Sequence, residues 1–451
     1  MKKALSILLA AMMSLTLLAS CGEKPAASTP AASTPAASTP AASTPADSTP
    51  AAPASGDLAT PEAGAELVYW TMWNETEPQG KVVAEAAEAF TAKTGVKIDV
   101  NFNGRDIRKS LEPALAGGEV VDIFDEDIER VLNTWGKYLL PLDEYVAGTY
   151  DGKVYRDQVN KTLIDLAEKL GGGSIKNIPY QPSTMVVMYN KDLFDKAGIK
   201  ETPKTWDEFM KVCEQLKAAG TTPITVDDAY MAALFGYNMD RLVGADKTLA
   251  MVKDVNFSDP AVLEFAKIWE DMAKKGYISK KAASNVFPAG QIEEVAKGTV
   301  AMYLNGTWLP NEIKGNAPDM NWGSFAWPAM KGGDGPEANN FGSQSYGINK
   351  DTKYPNAAFA FVRWMTTGEW DQKLADESLG VPMANDAKWP VQTADAKAII
   401  DSTTKRIPWA CGMEDVAEVN AAIKENFAKL VKGDIDAKAF ADNMAKLKKA
   451  A

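Results

Sequence analysis

The chain has 451 residues, enough for two or three domains, and its 46% hydrophobic and 24% charged content is ordinary for a soluble globular protein. The formal net charge of −12 argues against nucleic acid as a partner, because phosphate binding needs clustered lysine and arginine. The absence of histidine excludes Ser-His-Asp and Cys-His catalysis and every histidine-based zinc site, and the three cysteines lack metal-site spacing.

Residues 1–20 have the pattern of a secretory signal peptide, with two lysines before an apolar stretch too short to be a comfortable membrane span. Leu18-Ala19-Ser20-Cys21 resembles a bacterial lipobox, in which the signal is cut before the cysteine and the cysteine is lipidated. Acyl chains on Cys21 would hold the protein at the outer face of the cytoplasmic membrane, on the cell surface, without spanning the bilayer. Ordinary signal cleavage beside an incidental cysteine is the alternative.

Residues 21–65 are predicted to be the lipid anchor followed by a linker. The pentapeptide AASTP recurs from Ala26 to Pro45. Such sequence cannot bury apolar area, and its regular prolines keep it extended. We therefore expect a tether, with glycosylation of its Ser and Thr residues left open, and a globule that begins near Glu66.

The start of the globule has a β–α–β pattern. Residues 67–70 are predicted to form a strand, 81–94 a helix and 96–102 a second strand, which indicates a parallel sheet with a right-handed crossover. Residues 120–124 predict another buried strand.

A strand–helix–helix unit is predicted further along the chain. The apolar run Met185–Met188 suits a strand buried on both faces of a parallel sheet. Asn190 can cap a short helix that ends at Gly198. Thr205-Trp206-Asp207-Glu208 is a capping box, which starts an amphipathic helix that ends by Gly220.

The C-terminal half contains one stretch of particular interest, residues 298–308. A strand in this stretch is predicted to deliver Trp308 at a turn that glycine permits. Residues 356–366 predict an amphipathic helix, and further helices are expected from 417 to 449.

A resemblance to a known family is carried by the stretches Tyr189-Asn190-Lys191-Asp192-Leu193-Phe194, Ala197-Gly198-Ile199, Pro203–Phe209 and Gly298–Trp308. They resemble the extracellular solute-binding proteins of bacterial ABC importers, in the sugar-binding group that includes maltose-binding protein. The last stretch is similar to the signature Gly-x-x-Ala-Met-x-x-x-Gly-x-Trp of that family.

The resemblance implies an α/β fold of two lobes, the type II periplasmic-binding-protein fold. Lobe 1 would comprise 66–180 and 345–380, lobe 2 would comprise 185–340 and 385–451, and the chain would cross the hinge near 181–184, 341–345 and 380–384. It also implies a monomer that captures a mono- or oligosaccharide and delivers it to ABC transporter permease subunits, with no catalytic residue, no metal and no cofactor.

A sugar site needs flat aromatic surface and planar hydrogen-bonding groups. The resemblance maps Trp308 onto a ligand-stacking position and places Trp409 where the family often has another aromatic; for both, a core tryptophan is the alternative. The further candidates are the aromatic residues Tyr180, Tyr230 and Trp327, then Trp73, Asn74 and Glu75 after the first strand, Asp125 and Glu126 after the strand at 120–124, and Ser343 and Gln344 at a lobe crossing.

Other functions stay open on the sequence alone. Glu75, Asp125 and Glu126 could supply two carboxylates for glycoside hydrolysis. The long tether would also suit a surface adhesion or structural protein, and within the same fold the ligand could be a peptide, a polyamine or a metal complex.

Overall fold

A nine-stranded mixed sheet runs through the computed structural model, which describes residues 58–449. The predicted signal peptide, Cys21 and the linker up to residue 57 lie outside the described residues. The strands are β1 (Glu66–Thr71), β2 (Lys97–Phe102), β3 (Ile123–Asp127), β4 (Thr149–Tyr150), β5 (Lys153–Val154), β6 (Asn177–Asn190), β7 (Thr222–Thr225), β8 (Val300–Gly306), β9 (Trp322–Phe325), β10 (Ala338–Ile348) and β11 (Lys405–Ile407).

The helices between residues 58 and 449 share the hydrophobic cores with the strands of this sheet. They are α1 (Pro78–Thr94), α2 (Ile107–Ala116), α3 (Ile128–Asn133), α4 (Asp143–Ala147), α5 (Tyr155–Gln158), α6 (Lys161–Leu170), α7 (Lys191–Lys196), α8 (Trp206–Ala218), α9 (Met231–Val243), α10 (Ala245–Asp254), α11 (Pro260–Lys275), α12 (Leu309–Glu312), α13 (Pro355–Thr366), α14 (Gly368–Ser378), α15 (Ala396–Ser402), α16 (Ala417–Lys432) and α17 (Ala437–Met444). Within residues 58–449, none of these helices has the length and apolarity needed to cross a membrane.

The strand order of the sheet is β2-β1-β3-β10-β6-β8-β7, with β9 paired to β6 and β11 paired to β10, while β4 and β5 form a separate hairpin. Two large hydrophobic cores lie against its two ends. The first core surrounds β1 and α13 and includes Tyr69 and Phe361; the second surrounds β8, α9 and α11 and includes Phe235 and Trp269. A smaller cluster that includes Trp135 packs against α2 and β3.

Two long strands, β6 and β10, run side by side between the two cores, and β6 contributes residues to both of them. The first half of β6 pairs antiparallel with the second half of β10, whose other neighbour is β3. The second half of β6 pairs with β8 and β9, and the start of β10 pairs with β11. The chain therefore passes from one core to the other within continuous strands.

The backbone is irregular where these strands pass between the cores. Gln181 has a φ of 45°, and the β6–β10 register shifts between Ser343 and Gln344. Leu379, at the end of α14, has a φ of 51°, and the Gln181 side-chain Nε2 donates to Ser378 Oγ over 2.9 Å. Left-handed φ values at non-glycine residues cost free energy, so the surrounding contacts must hold these residues in place.

A buried carboxylate fixes the chain just after α14. Asp371 accepts hydrogen bonds from the backbone N–H groups of Met383 (3.0 Å) and Ala384 (2.7 Å). Burial raises the pKa of Asp371 to about 7, because the low-dielectric interior disfavours the charged form.

Predictions that rested on local chemistry are confirmed. β1 and β2 pair in parallel through the crossover helix α1. Asn190 caps α7, and Thr205 and Glu208 form the reciprocal capping box of α8. The helix expected at 356–366 is α13, and the segment from 417 onward forms α16 and α17.

Three sequence expectations are corrected. The run Met185–Met188 is buried, but its partners β8 and β9 are antiparallel to it, not parallel. The strand expected at 120–124 begins only at Ile123, and Val120 is 66% exposed. Residues 58–65 belong to the globule, not to the linker, because Glu62 accepts hydrogen bonds from the first N–H groups of α13 and Ala65 is buried.

Candidate functional site

An aromatic group lies at one edge of the second core. The rings of Trp308 and Trp409 have centroids 5.9 Å apart at an interplanar angle of 46°. Trp308 Nε1 donates to the Tyr230 hydroxyl over 3.1 Å, and the Tyr230 ring lies 6.1 Å from that of Trp409. Both tryptophans are half-buried, so each keeps ring surface open to solvent, whereas Tyr230 is 6% exposed. The structure thus brings these three candidates together.

The position of Trp308 follows from the end of β8. The strand stops at Gly306, and an ideal Cβ built on Gly306 would lie 2.1 Å from Cζ3 of the Trp308 ring. The glycine is therefore required for space, since the indole lies over its Cα. The sequence predicted a glycine here because of backbone freedom at the turn, whereas the structure shows that the missing side chain is what matters.

Trp409 is presented by a strained loop after β11. Ala410 and Cys411 both have left-handed φ values, of 49° and 50°, and Gly412 follows with a φ of 76°. The loop packs closely on α9, where a Cβ on Gly236 would lie 2.1 Å from the Ala410 carbonyl oxygen. Trp409 Nε1 donates to Glu414 Oε2 over 2.9 Å, which orients the indole. Strain held by close packing is characteristic of residues positioned for function.

A fourth aromatic ring, which the sequence analysis missed, adjoins this group. Phe287 is 41% exposed, and its ring centroid lies 6.1 Å from that of Tyr230. Its backbone N–H donates to Asp228 Oδ1 over 2.9 Å. The signal was present in the sequence, where Val286-Phe287 stands next to proline and glycine in a segment that favours a loop.

Where the first core meets the smaller cluster, the candidates Trp73, Asp125 and Tyr180 form one buried network. Trp73 Nε1 donates to the Tyr180 hydroxyl over 2.8 Å, and that hydroxyl donates to Asp125 Oδ2. Asp125 Oδ1 accepts from the Met72 N–H over 2.9 Å. Burial raises the pKa of Asp125 to about 6, an effect these hydrogen bonds only partly offset. Asp125 and Tyr180 therefore support Trp73 rather than face solvent, since both are buried.

Glu126 is also fully buried, inside β3 rather than in the loop that the sequence predicted. It accepts from Arg108 Nε at 2.5 Å and from the Asp127 N–H at 2.7 Å, and Arg130 Nε lies 3.3 Å away. A buried carboxylate needs such partners. Its oxygens are thus engaged within the protein.

Asn74 and Glu75, by contrast, are exposed after β1. The Asn74 amide donates to Glu77 Oε2 over 3.0 Å, and Glu77 pairs with Arg105 over 3.0 Å. The Arg105 guanidinium lies 4.6 Å from the centre of a Trp73 ring, in a cation–π contact.

The β6–β10 crossing carries polar atoms that the protein does not satisfy. Ser343 Oγ and Gln344 Oε1 are buried and have no hydrogen-bond partner between residues 58 and 449. Gln181 Oε1 and Ser345 Oγ share this property. Such groups carry a free-energy penalty unless something else pairs with them.

The candidate Trp327 lies in the core and not in the site, contrary to the prediction. It is 2% exposed and packs with Trp206 and Phe209, at centroid distances of 5.9 and 5.7 Å, inside the second core. A fully enclosed ring cannot offer a face to a ligand, so Trp327 is a core residue.

One salt bridge joins the elements of the two cores. Arg406, in β11, pairs with Glu129, in α3, over 2.8 Å and also donates to the Phe341 carbonyl oxygen over 2.6 Å. Across the described part of the chain, no three His, Cys, Asp or Glu side chains are grouped to hold a metal ion. The arrangement as a whole therefore offers stacking surface and hydrogen bonds.

Known proteins that are similar to this chain include extracellular solute-binding proteins. Residues 73–372 match the family described as bacterial extracellular solute-binding protein. The chain is 28% identical over 351 residues to the multiple sugar-binding protein of Streptococcus mutans, covering 74% of this chain and 80% of the relative.

Two solved structures have a similar fold. The solute-binding protein RafE in complex with raffinose aligns with a TM-score of 0.64 at 21% identity, over 84% of this chain and 98% of the other. A chitin oligosaccharide binding protein aligns with a TM-score of 0.63 at 23% identity, over 85% and 97%. At these identities the likeness shows the two-lobe α/β fold.

Proposed function

The chain belongs to the family of bacterial extracellular solute-binding proteins, and from this premise we propose that it captures a carbohydrate outside the membrane and delivers it to an ABC transporter permease. The observation that carries this proposal is the aromatic group of Trp308, Trp409 and Tyr230. The names of the streptococcal sugar-binding relative and of the two oligosaccharide-binding structures support the same ligand class.

The physical match is between ring faces and sugar faces. A pyranose presents C–H groups on its faces and hydroxyls around its rim, so half-buried indoles can cover a face while amide and carboxylate groups bind the rim. We assign contact with the C–H faces of the sugar to Trp308 and Trp409. We assign the rim hydroxyls to Ser343 and Gln344, whose buried and unpaired oxygens a sugar hydroxyl would satisfy once the lobes open.

On the opposite side, Trp73 would complete the enclosure, held in place by Tyr180 and Asp125. Asn74 and Glu75, both exposed beside Trp73, would reach ligand hydroxyls. Glu126 contributes indirectly, by fixing Arg108 and Arg130.

Capture would proceed by closure of the two lobes about the irregular crossings. We propose lobes close to 66–180 with 345–380 and 185–340 with 385–451, and hinge segments near 181–184, 341–345 and 380–384. The bulge beside Ser343 and the left-handed Gln181 and Leu379 support hinges in these segments. Hinge residues of this type absorb the φ/ψ change of a closing motion.

Attachment to the membrane would rest on Cys21 as a lipidated residue. The wild-type protein expressed with its leader should partition into the detergent phase, and Cys21→Ala should partition into the aqueous phase. Equal partitioning of the two proteins would refute the lipoprotein assignment.

The ligand class is tested by a thermal-shift screen of monosaccharides and oligosaccharides alongside peptides and polyamines. A ligand that binds only the folded state at 100 times its Kd adds about 2.7 kcal/mol of stability, which is a clear rise in Tm. We expect at least one saccharide to give this rise. A rise with a peptide or polyamine alone would replace the carbohydrate, and saccharide cleavage during incubation would indicate a hydrolase instead.

A further inference from the structure

Four large apolar side chains between residues 58 and 449 are strongly exposed, and two of them are adjacent: Val286, at 68%, and Phe287, at 41%. Two exposed apolar neighbours offer a small surface against which the apolar face of a ligand can pack. We call the pair Val286 and Phe287 the loop shelf.

The loop shelf continues the aromatic group instead of lying apart from it. The Phe287 ring adjoins Tyr230 at 6.1 Å, Tyr230 adjoins Trp409 at 6.1 Å, and Trp409 adjoins Trp308 at 5.9 Å. Because Tyr230 also accepts a hydrogen bond from Trp308, the three rings form one group, and the exposed Phe287 ring extends this group beside Tyr230.

The loop shelf is held in position by hydrogen bonds to Asp228, which is half-buried, and by the buried Asn285 and Glu294 beside it. The Phe287 N–H donates to Asp228 Oδ1 over 2.9 Å, and the Asn285 amide donates to Glu294 Oε2 over 2.8 Å. The Asp228 N–H in turn donates to the Asn285 carbonyl oxygen over 3.1 Å. A preorganised apolar surface loses little conformational entropy when a ligand covers it.

From these contacts we infer that the ligand is an oligosaccharide long enough to pass from the two tryptophans to Phe287, which makes Phe287 a determinant of chain length. This inference deepens the proposed carbohydrate function and rests on it. A monosaccharide would be covered by the Trp308–Trp409 pair and would leave the loop shelf exposed, whereas a longer ligand would cover it.

The test compares wild-type protein with Phe287→Ala by calorimetry on four homologous series: sucrose to stachyose, maltose to maltotetraose, xylobiose to xylotetraose, and chitobiose to chitotetraose. In the series that binds, Phe287→Ala should weaken the tetrasaccharide by about 5- to 30-fold, the range expected for one lost stacking ring with its buried area. The disaccharide should change by less than about twofold. Phe287→Tyr, which keeps the ring, should restore tetrasaccharide affinity.

Val391→Ala serves as the matched control, because Val391 is 77% exposed on a different loop and should have no effect on any member. Equal weakening of short and long saccharides, or no weakening at all, would overturn the length role while leaving carbohydrate binding intact. Wild-type binding to monosaccharides alone would do the same. If wild-type protein bound no saccharide, the carbohydrate function itself would fail, and the inference with it.

Discussion

Replacing Trp308 with alanine distinguishes between two roles of this residue, a surface on which the ligand stacks and a part of the core. The Trp308 ring is half-buried against the second core and also half-open beside Trp409. The substitution removes both the stacking face and the Nε1–H group that donates to the Tyr230 hydroxyl. Both affinity and stability are therefore expected to change, and their relative sizes are the informative quantity.

The expected magnitudes follow from burial. A stacked aromatic contact contributes about 0.5–1.5 kcal/mol beyond its buried area, and with the lost apolar burial the total is roughly 2–4 kcal/mol. This corresponds to about 30- to 1000-fold in the Kd for the saccharide. A fully buried tryptophan changed to alanine costs about 3–5 kcal/mol of folding stability, so a half-buried ring should cost less, about 1–3 kcal/mol.

Calorimetric titration and thermal unfolding are measured on the same Trp308→Ala sample. The control is Trp327→Phe, since Trp327 is enclosed in the same core and faces no solvent. It should lose about 1–3 kcal/mol of stability with saccharide affinity unchanged. A large fall in the Tm of Trp308→Ala with near-normal affinity per folded molecule would refute the stacking role.

Three further substitutions test separate parts of the account. Gly306→Ala places a Cβ 2.1 Å from the neighbouring indole, so the ring must move and saccharide affinity should fall at least about tenfold. The pKa of Asp371 is raised from 3.8 to about 7, so the folded state holds a proton that the unfolded chain releases. The contribution of this group to stability therefore grows as the pH falls from 8 to 5, by at most about 1.4 kcal/mol per unit, and Asp371→Asn should flatten that slope of Tm against pH. The ion pair between Arg406 and Glu129 favours the arrangement in which the two cores are close together. Because Arg406→Gln removes this ion pair, it should weaken saccharide binding by up to about fivefold.

Each of these changes has its own control. Gly315→Ala, at a site with nothing within 4 Å of the new Cβ, should leave affinity normal. An unchanged pH slope in Asp371→Asn would show that another group carries the dependence. Glu129→Gln should weaken binding no more than Arg406→Gln, which also loses the hydrogen bond to the Phe341 carbonyl oxygen. The double variant should match Arg406→Gln, because the ion pair is already absent there. Tighter binding in either single variant would contradict the assigned role of the ion pair.

The sequence predicted features whose causes are local. The capping box of Thr205 and Glu208 and the Asn190 cap each depend on residues within three positions of one another, so the pattern is visible in the chain. The two-lobe fold followed from the motif resemblance at residues 189–209 and 298–308. These predictions needed no knowledge of distant contacts.

Features set by distant contacts could not be read in the same way. The antiparallel partners of the run at 185–188 start more than a hundred residues away, at β8. Trp327 and Trp308 have the same side chain but different environments. Trp327 packs against α8 and is enclosed, whereas Trp308 lies over a glycine and is only half-buried. Asp125 was predicted to be a ligand group in the loop after a strand. It lies inside β3 instead, where its carboxylate is buried and accepts from the Tyr180 hydroxyl. Burial of this kind is decided by long-range pairing, not by residue type.

Whether the protein captures a carbohydrate is decided by calorimetric titration of the wild-type protein with the saccharides selected by thermal shift, beside peptides and polyamines as competing classes. A saturable one-to-one isotherm with at least one saccharide, and none with the other classes, is the result expected from carbohydrate capture. A one-to-one isotherm with a peptide or a polyamine, and no heat of binding with any saccharide, would contradict it.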